Sequence, residues 1–471
     1  SKQTRSRKFE RVHMKKHIIS IAIVCLGSQS IAADLQSELI YLRDNHPMLR
    51  ATSFAVTAAE KRETAAKAGW LPKVDVGAES GSEKITTTPY ASGQPSSTPQ
   101  ASDLQRKKQS VTVIQNLFNG GRTLATTGVA KIERQMKDAD RSATSQEVLL
   151  EAITAYINVL KNKMLISLSE INEETTKRQL EMEKQRVERG GGVIVDELQA
   201  ATRLQIVRER RVIYEQGLRD AVSGYEQVFG KSPDLKLFED VDIIKSRMPA
   251  SVDAATDEAA ENNPRLAAAR LATERTYRLI SMENAGFMPN VDLVGTHNRE
   301  RDAGQLYRKD EDSVLLKMSW NIFAGRETIS RAQAAAYDYR ESAEKEKNVN
   351  NKTKESVRVA WNQYKKGLER LELLESAVKT SQGVMRGRKR LRDAGKETAL
   401  AVLDSEVEHF GLLANKVNAS MDAKLGSYRL LSALGKLDIE SLNLDQGKFE
   451  IPIQSIDKAV KELVGNELLV R

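Results

Sequence analysis

The chain has 471 residues, enough for two or three ordinary globular domains, yet aromatic residues make up only 5% of it and charged residues 29%. That balance excludes a set of thick apolar cores and suits long, solvated helices. The net charge of +8 sits mostly in residues 1–33, which hold seven Lys/Arg and one acid, so the rest is near neutral and gives no argument for nucleic-acid binding.

Taken in order, the chain first shows Met14, Lys15 and Lys16, an apolar run from Ile18 to Leu26, and Ser30-Ile31-Ala32-Ala33. A charged start, a short apolar stretch and a small-residue cleavage site predict a secretory signal peptide within a leader of residues 1–33. Cys25, the single cysteine, falls inside it.

A helix is predicted from about Leu35 to Ala68. It ends at Gly69-Trp70-Leu71-Pro72, since Pro72 has no N–H to give and pushes its predecessor out of the helical region. Beyond it Val74, Val76 and Ala78 alternate with Lys73, Asp75 and Glu79, and later Val111, Val113 and Leu117 alternate with Ser110, Thr112 and Asn116. This period of two predicts a strand pair over about 71–118. The Thr-, Ser- and Pro-rich stretch from Thr86 to Pro99 between them predicts a mobile surface loop. Residues 122–189 contain no Pro, carry apolar residues at 3/4 spacing (Leu149, Ile153, Tyr156, Leu160, Met164) and predict one rod of roughly 100 Å. Gly190-Gly191-Gly192 breaks it, and a helix about half as long follows over 195–229.

The second half repeats the first. Ala285-Gly286-Phe287-Met288-Pro289 returns the junction at a shift of 217 positions, from 68 to 285, and Asn321-Ile322-Phe323 returns Asn116-Leu117-Phe118 at a shift of 205. The predicted units are a first repeat over 34–250 and a second over 251–440. The second holds a half-helix from about Val252 to Ala285, a strand pair over about 288–323, a long helix over 326–393 and a half-helix over 398–434. Residues 441–471 are predicted to be a C-terminal equatorial segment or tail. Trp70, Phe118, Phe287, Trp320 and Phe323 mark the helix-side ends of the strands, where a membrane-interface girdle belongs. The same pattern also fits a hairpin in a soluble sheet. If the strands span a membrane, four are too few for a closed barrel, and three chains would supply twelve.

The two Pro-strand junctions, Asn116-Leu117-Phe118-Asn119-Gly120-Gly121-Arg122 with its echo at Asn321-Ile322-Phe323-Ala324-Gly325-Arg326, and the turns at Gly190 and Gly395 carry a resemblance. The chain resembles the TolC-like outer-membrane channel proteins over most of residues 34–440. The resemblance implies a mixed α+β membrane protein: a trimeric twelve-stranded β-barrel, four strands per chain, continuing into a long periplasmic α-helical barrel. It further implies passive export of polypeptide (type I secretion) or small toxic compounds. The implied partners are a periplasmic adaptor, an inner-membrane ABC or RND transporter, and outer-membrane lipid. The family's pore constriction falls on Asp404, which keeps its acid, and on Ala401, which does not, while the basic position after the turn glycine is Glu397. Adaptor docking falls on Gly190, Val193, Gly395 and Leu400, beside basic runs at Lys184–Arg189 and Arg386–Arg392.

The rest of the sequence offers no catalytic set. His46, His297 and His409 lack metal-ligand spacing and read as polar surface residues. Gly190–Gly192 lacks the Lys-Ser/Thr of a phosphate loop. No cofactor or enzymatic activity is expected. A periplasmic adaptor or coiled-coil scaffold is the alternative, but an adaptor would carry one helical hairpin, not a duplicated chain with strands at its helix ends.

Overall fold

The structure, a computed structural model, describes residues 35–88, 90–91, 94–95, 100–236, 238–303 and 306–439. The expected leader and the segment 441–471 lie outside them. The chain starts with α1 (Leu35–Asn45) and α2 (Pro47–Lys67). A single helix over 35–68 was expected. It is broken because Pro47 opens a new helix and holds His46 extended, at ψ 126°. The same break separates α5 (Val252–Asn262) from α6 (Pro264–Asn284), where the Asn263 side chain accepts from the N–H groups of Arg265 and Leu266.

One 3₁₀ turn, Ala68–Trp70 or Ala285–Phe287, leads from each half-helix through its Pro into a strand. Strands β1 (Lys73–Thr87), β4 (Gln100–Phe118), β5 (Asn290–Ala303) and β6 (Leu306–Ser319) form one antiparallel sheet in that order. A small ribbon pairs β2 (Tyr90–Ala91) with β3 (Gln94–Pro95). The strands run further than the alternation alone indicated. Thr86 and Thr87, expected in the loop, belong to β1, whereas Trp320 and Ile322, expected in the last strand, follow β6. A bulge between Asn116 and Phe118 sets Phe118 opposite Val291.

Helices α3 (Arg122–Glu188) and α7 (Glu327–Asp393) have 67 residues each, and α4 (Ile194–Phe229) and α8 (Ala399–Leu434) have 36 each. At 1.5 Å per residue the long pair reach about 100 Å. Helix α2 lies along the first half of α3, where Arg134 meets Glu63 at 2.9 Å, and α4 returns along the second half, where Gly217 lets Asn162 approach. Helix α6 meets α7 through the edge-on rings of Tyr277 and Tyr339, and α8 meets it where Gly426 faces Tyr364. The element order of residues 35–229 thus recurs in residues 252–434.

The main core sits midway along the rods. Leu39, Leu149, Ile153, Tyr156, Leu160, Tyr225, Leu413, Met421 and Leu431 are all essentially inaccessible there. The segment after α4 closes it, a contribution the sequence did not reveal. Phe238 stacks on Tyr156 with ring centres 4.4 Å apart, and the Tyr156 hydroxyl donates to the Glu239 carbonyl (2.9 Å) while accepting from the Glu239 N–H (3.0 Å). The Tyr225 hydroxyl donates to Glu38, which also takes the Lys231 ammonium at 2.9 Å. Burial, then that hydrogen bond and charge, raise the Tyr225 hydroxyl far above the usual phenol range. Removing methyl groups from the centre of this core leaves a hole that rigid rods cannot close. Ile153→Ala is expected to cost about 2–5 kcal/mol, read as a lowered midpoint for thermal loss of helical circular dichroism.

Candidate functional site: the turn end of the rods

Both long helices end in the same hydrogen-bonded stop. Gly190 adopts φ +76° and Gly395 φ +71°, left-handed values that a Cβ would strain. The Gly190 N–H donates to the Val187 carbonyl and the Gly191 N–H to Arg186. Equivalently, the Gly395 N–H donates to Arg392 and the Lys396 N–H to Leu391, at 2.8–3.0 Å. These crossed bonds satisfy carbonyls that a helix end leaves open. The chain then reverses into α4 after Val193, and into α8 after Thr398, whose hydroxyl accepts from the Ala401 N–H. Gly190, Val193, Gly395 and Leu400 are all exposed on the two turns. The structure brings Gly190 with Val193 and Gly395 with Leu400 at the end of the rods opposite the sheet.

The three residues expected at the constriction make different contacts. Glu397 accepts from the Thr398 N–H at 3.2 Å and so helps cap α8. Ala401 offers its carbonyl to Arg388 at 2.8 Å. Asp404 is half-exposed and takes a guanidinium N–H from Arg203 of α4 at 2.5 Å, tying the α3–α4 pair to the α7–α8 pair. Exposed pairs of this kind contribute roughly 0.2–1 kcal/mol each, enough to hold a turn and little enough to release it.

One turn further from the tip lies a polar cluster that motif reading missed. Glu406, buried on α8, accepts from Gln179 of α3 through one carboxylate oxygen and sets the other against the Lys389 ammonium of α7 as an ion pair at 2.7 Å. His409, taken from sequence as a surface residue, is fully buried. The Ser381 hydroxyl donates to the Val378 carbonyl (3.0 Å), so its oxygen accepts the Nδ1–H of His409 (2.8 Å) and Nε2 of the ring stays unprotonated. Burial first, then the nearby Lys389 and Arg386 cations, hold His409 below the ordinary imidazole value. The missed signal was spacing: Val402, Glu406, His409 and Leu413 follow 4, 3 and 4 steps along one seam of α8.

At the opposite end, alternation divides the sheet into two faces. Register places Val74, Val76, Val111, Val113, Val291, Leu293, Val314, Leu316 and Met318 on one of them. On β4 and β5 residues of this set are largely exposed while those between are half-buried, so it is the convex face. The concave face carries paired charges, Arg106 with Glu83 and Glu300, and Lys309 with Glu311, with one apolar row of Ile114, Val294 and Leu315. Trp70, Phe118, Phe287, Trp320 and Phe323 are all exposed at the helix-side end of the sheet, and the Trp320 indole donates to the Phe287 carbonyl at 3.1 Å. Among the described residues no helix is long and apolar enough to cross a membrane, and no group of His, Cys, Asp or Glu could hold a metal.

A sheet apolar outside and polar inside, continued by paired rods with a weakly tied far end, is the build of an outer-membrane channel chain. The chain belongs to the outer membrane efflux protein family, whose sequence profile matches residues 41–230 and 255–436. It is 24% identical over 428 residues to the outer membrane protein TolC of Vibrio cholerae, covering 89% of this chain and 94% of that one. It is 23% identical over 336 residues to the alkaline protease secretion protein AprF of Pseudomonas aeruginosa, covering 69% and 70%. The outer-membrane channel OprN shares the fold at a TM-score of 0.75 and 18% identity, over 86% of this chain and 90% of that one. The protein is thus an outer-membrane protein.

The buried neutral imidazole gives the tip a pH dependence of definite sign. Above the ordinary His value of 6.5 both the packed and the unfolded chain hold neutral His409, and between that value and the lower one of the packed state only the unfolded chain takes a proton. Acid therefore weakens packing, by at most about 1.4 kcal/mol per pH unit. Thermal midpoints at pH 7 and pH 5 are expected to differ less for His409→Gln than for the native protein.

Proposed function

We propose that this chain forms one third of a trimeric export duct: twelve strands closing a barrel in the outer membrane, and twelve helical rods' worth of wall extending into the periplasm. The observation that carries the reading is the four-stranded sheet itself, with an apolar convex face, a polar concave face and two unpaired edges at β1 and β6. Such a sheet is stable in lipid only when its edges meet further strands, and copies of the same chain supply them. The halves descend from a duplication, which accounts for the paired helix lengths.

The duct is passive, has no cofactor and performs no catalysis. It works with an inner-membrane ABC or RND transporter and a periplasmic adaptor, whose helical hairpin seats in the helix-pair grooves at Gly190, Val193, Gly395 and Leu400. The cargo is secreted polypeptide or small toxic compounds, since one wide, inert wall serves both. The tip is the gate. Three Arg203–Asp404 pairs, one per chain, hold it shut, and Asp404 lends the mouth a ring of negative charge. This assigns Asp404 a cross-pair latch as well as a place in the ring, and leaves Ala401 and Glu397 as helix-end residues.

Two measurements test this. In planar bilayers the purified protein conducts ions with a preference for cations. Arg203→Ala raises the open fraction roughly tenfold, the effect of three pairs near 0.5 kcal/mol each, and Asp404→Ala lowers the cation preference. In cells lacking their own exit duct, this chain restores export, and Gly190→Trp or Gly395→Trp abolishes it while trimers persist. Absence of conduction, or normal export by both Trp variants, contradicts the respective assignment.

A further inference from the structure

On the convex face of the sheet, beyond the apolar band, three cations stand directly opposite one another across three strands. Lys107 on β4 pairs in register with Arg301 on β5, and Arg301 pairs with Arg308 on β6. All three side chains are exposed. Like charges placed directly across a sheet repel, so the row destabilises the sheet unless an anion lies over it.

The surroundings do not supply enough anion. Arg308 meets Asp310 through Nε at 2.8 Å and Nη2 at 2.5 Å, but the same carboxylate also takes Arg299 at 3.2 Å, and Asp312 is held by His297. Neither Lys107 nor Arg301 has an ion pair among the described residues. Beyond the band this face carries Lys84, Lys107, Arg299, Arg301 and Arg308 against Asp103, Asp310 and Asp312, a surplus of two cations per chain. On the concave face at the same level acids outnumber cations instead: Glu79, Glu83, Glu300 and Glu311 stand against Arg106, Lys108 and Lys309, with Arg106 and Lys108 both against Glu300, Arg106 also against Glu83, and Lys309 against Glu311. The surplus belongs to the outward side alone.

Position identifies the occupant. Lys107 lies four residues beyond Val111, and Arg308 six beyond Val314, which is about 14–20 Å along strands that tilt in a barrel. Going outward, the first groups met beyond the acyl chains are the headgroups of the outer leaflet. We propose that Lys107, Arg301 and Arg308 form a binding site for the phosphate groups of an anionic, phosphorylated glycolipid in that leaflet. The guanidinium fork of Arg301 grips phosphate oxygens in pairs, Lys107 and the outer edge of Arg308 add charge, and the anion relieves the repulsion along the row. Three copies of the row would ring the barrel. The inference rests on the barrel reading above.

The test uses the full chain in phosphatidylcholine vesicles that contain either a bis-phosphorylated, multiply acylated glucosamine disaccharide or the same lipid without its phosphates. Bound glycolipid is counted after extraction, and insertion is scored separately by protease protection of the strands. The native protein is expected to prefer the phosphorylated lipid by about tenfold or more, in line with charge-assisted hydrogen bonds, and to lose the preference in high salt. Lys107→Gln/Arg301→Gln/Arg308→Gln is expected to insert normally and show no preference. Should the triple variant fail to insert, Arg301→Gln alone carries the test, with a partial loss expected. An unchanged preference in the variant that inserts, or none in the native protein, overturns the site and leaves the barrel reading standing. Failure of the native chain to insert overturns both.

Discussion

Everything in this molecule answers to one constraint: a backbone that enters lipid cannot leave its N–H and C=O groups unpaired. Among the described residues, strands β1 and β6 each have one side without a partner. The convex face between them is apolar in the rows nearest the helices, so water is excluded where those groups need it most. In the proposed assembly, closure by further copies would resolve both problems at once. The same proposal would fix the arrangement of the helices, because a ring of strands dictates a ring of helices of the same order below it.

The energetic layout follows from that geometry. Midway along the rods, Tyr156, Tyr225, Ile153 and Leu413 are dry and their polar atoms satisfied, which anchors the halves of the chain against each other. Toward the turns the seams fill with Glu406, His409, Gln179 and Lys389, and nearer the end the exposed Arg203–Asp404 pair crosses between the helical hairpins. Stability therefore declines along the rods from the equator to the tip. The proposed duct, opening at one end without dissolving, would draw on that gradient.

Much of the architecture was legible because its determinants are local. Pro72 and Pro289 announce the helix-to-strand junctions, and Gly190 and Gly395 end the rods, each by a steric rule that needs no tertiary information. The 67-residue helices came out within a residue or two for the same reason. What was missed is mostly long-range. The Arg203–Asp404 bond joins residues 201 positions apart, and Gln179 and Glu406 are separated by 227. Phe238 and Val241, in an irregular segment, close the core through contacts that no periodicity encodes. The breaks at Pro47 and Pro264 are a different case: the Pro rule that ended the helices at 72 and 289 applies equally there. Glu406 and His409 were overlooked because polar residues were assumed to face water, although their 3/4 spacing placed them in an apolar seam.

Closure of the sheet can be tested with covalent chemistry, since the single cysteine, Cys25, lies in the expected leader. One cysteine is placed on β1 around Val76 and one on β6 around Val314, scanning neighbouring residues for register, and membranes are oxidised before denaturing electrophoresis. The account predicts a crosslinked species of three chains and nothing larger. Chains that stay monomeric at every register, or a ladder that continues past three, would contradict it.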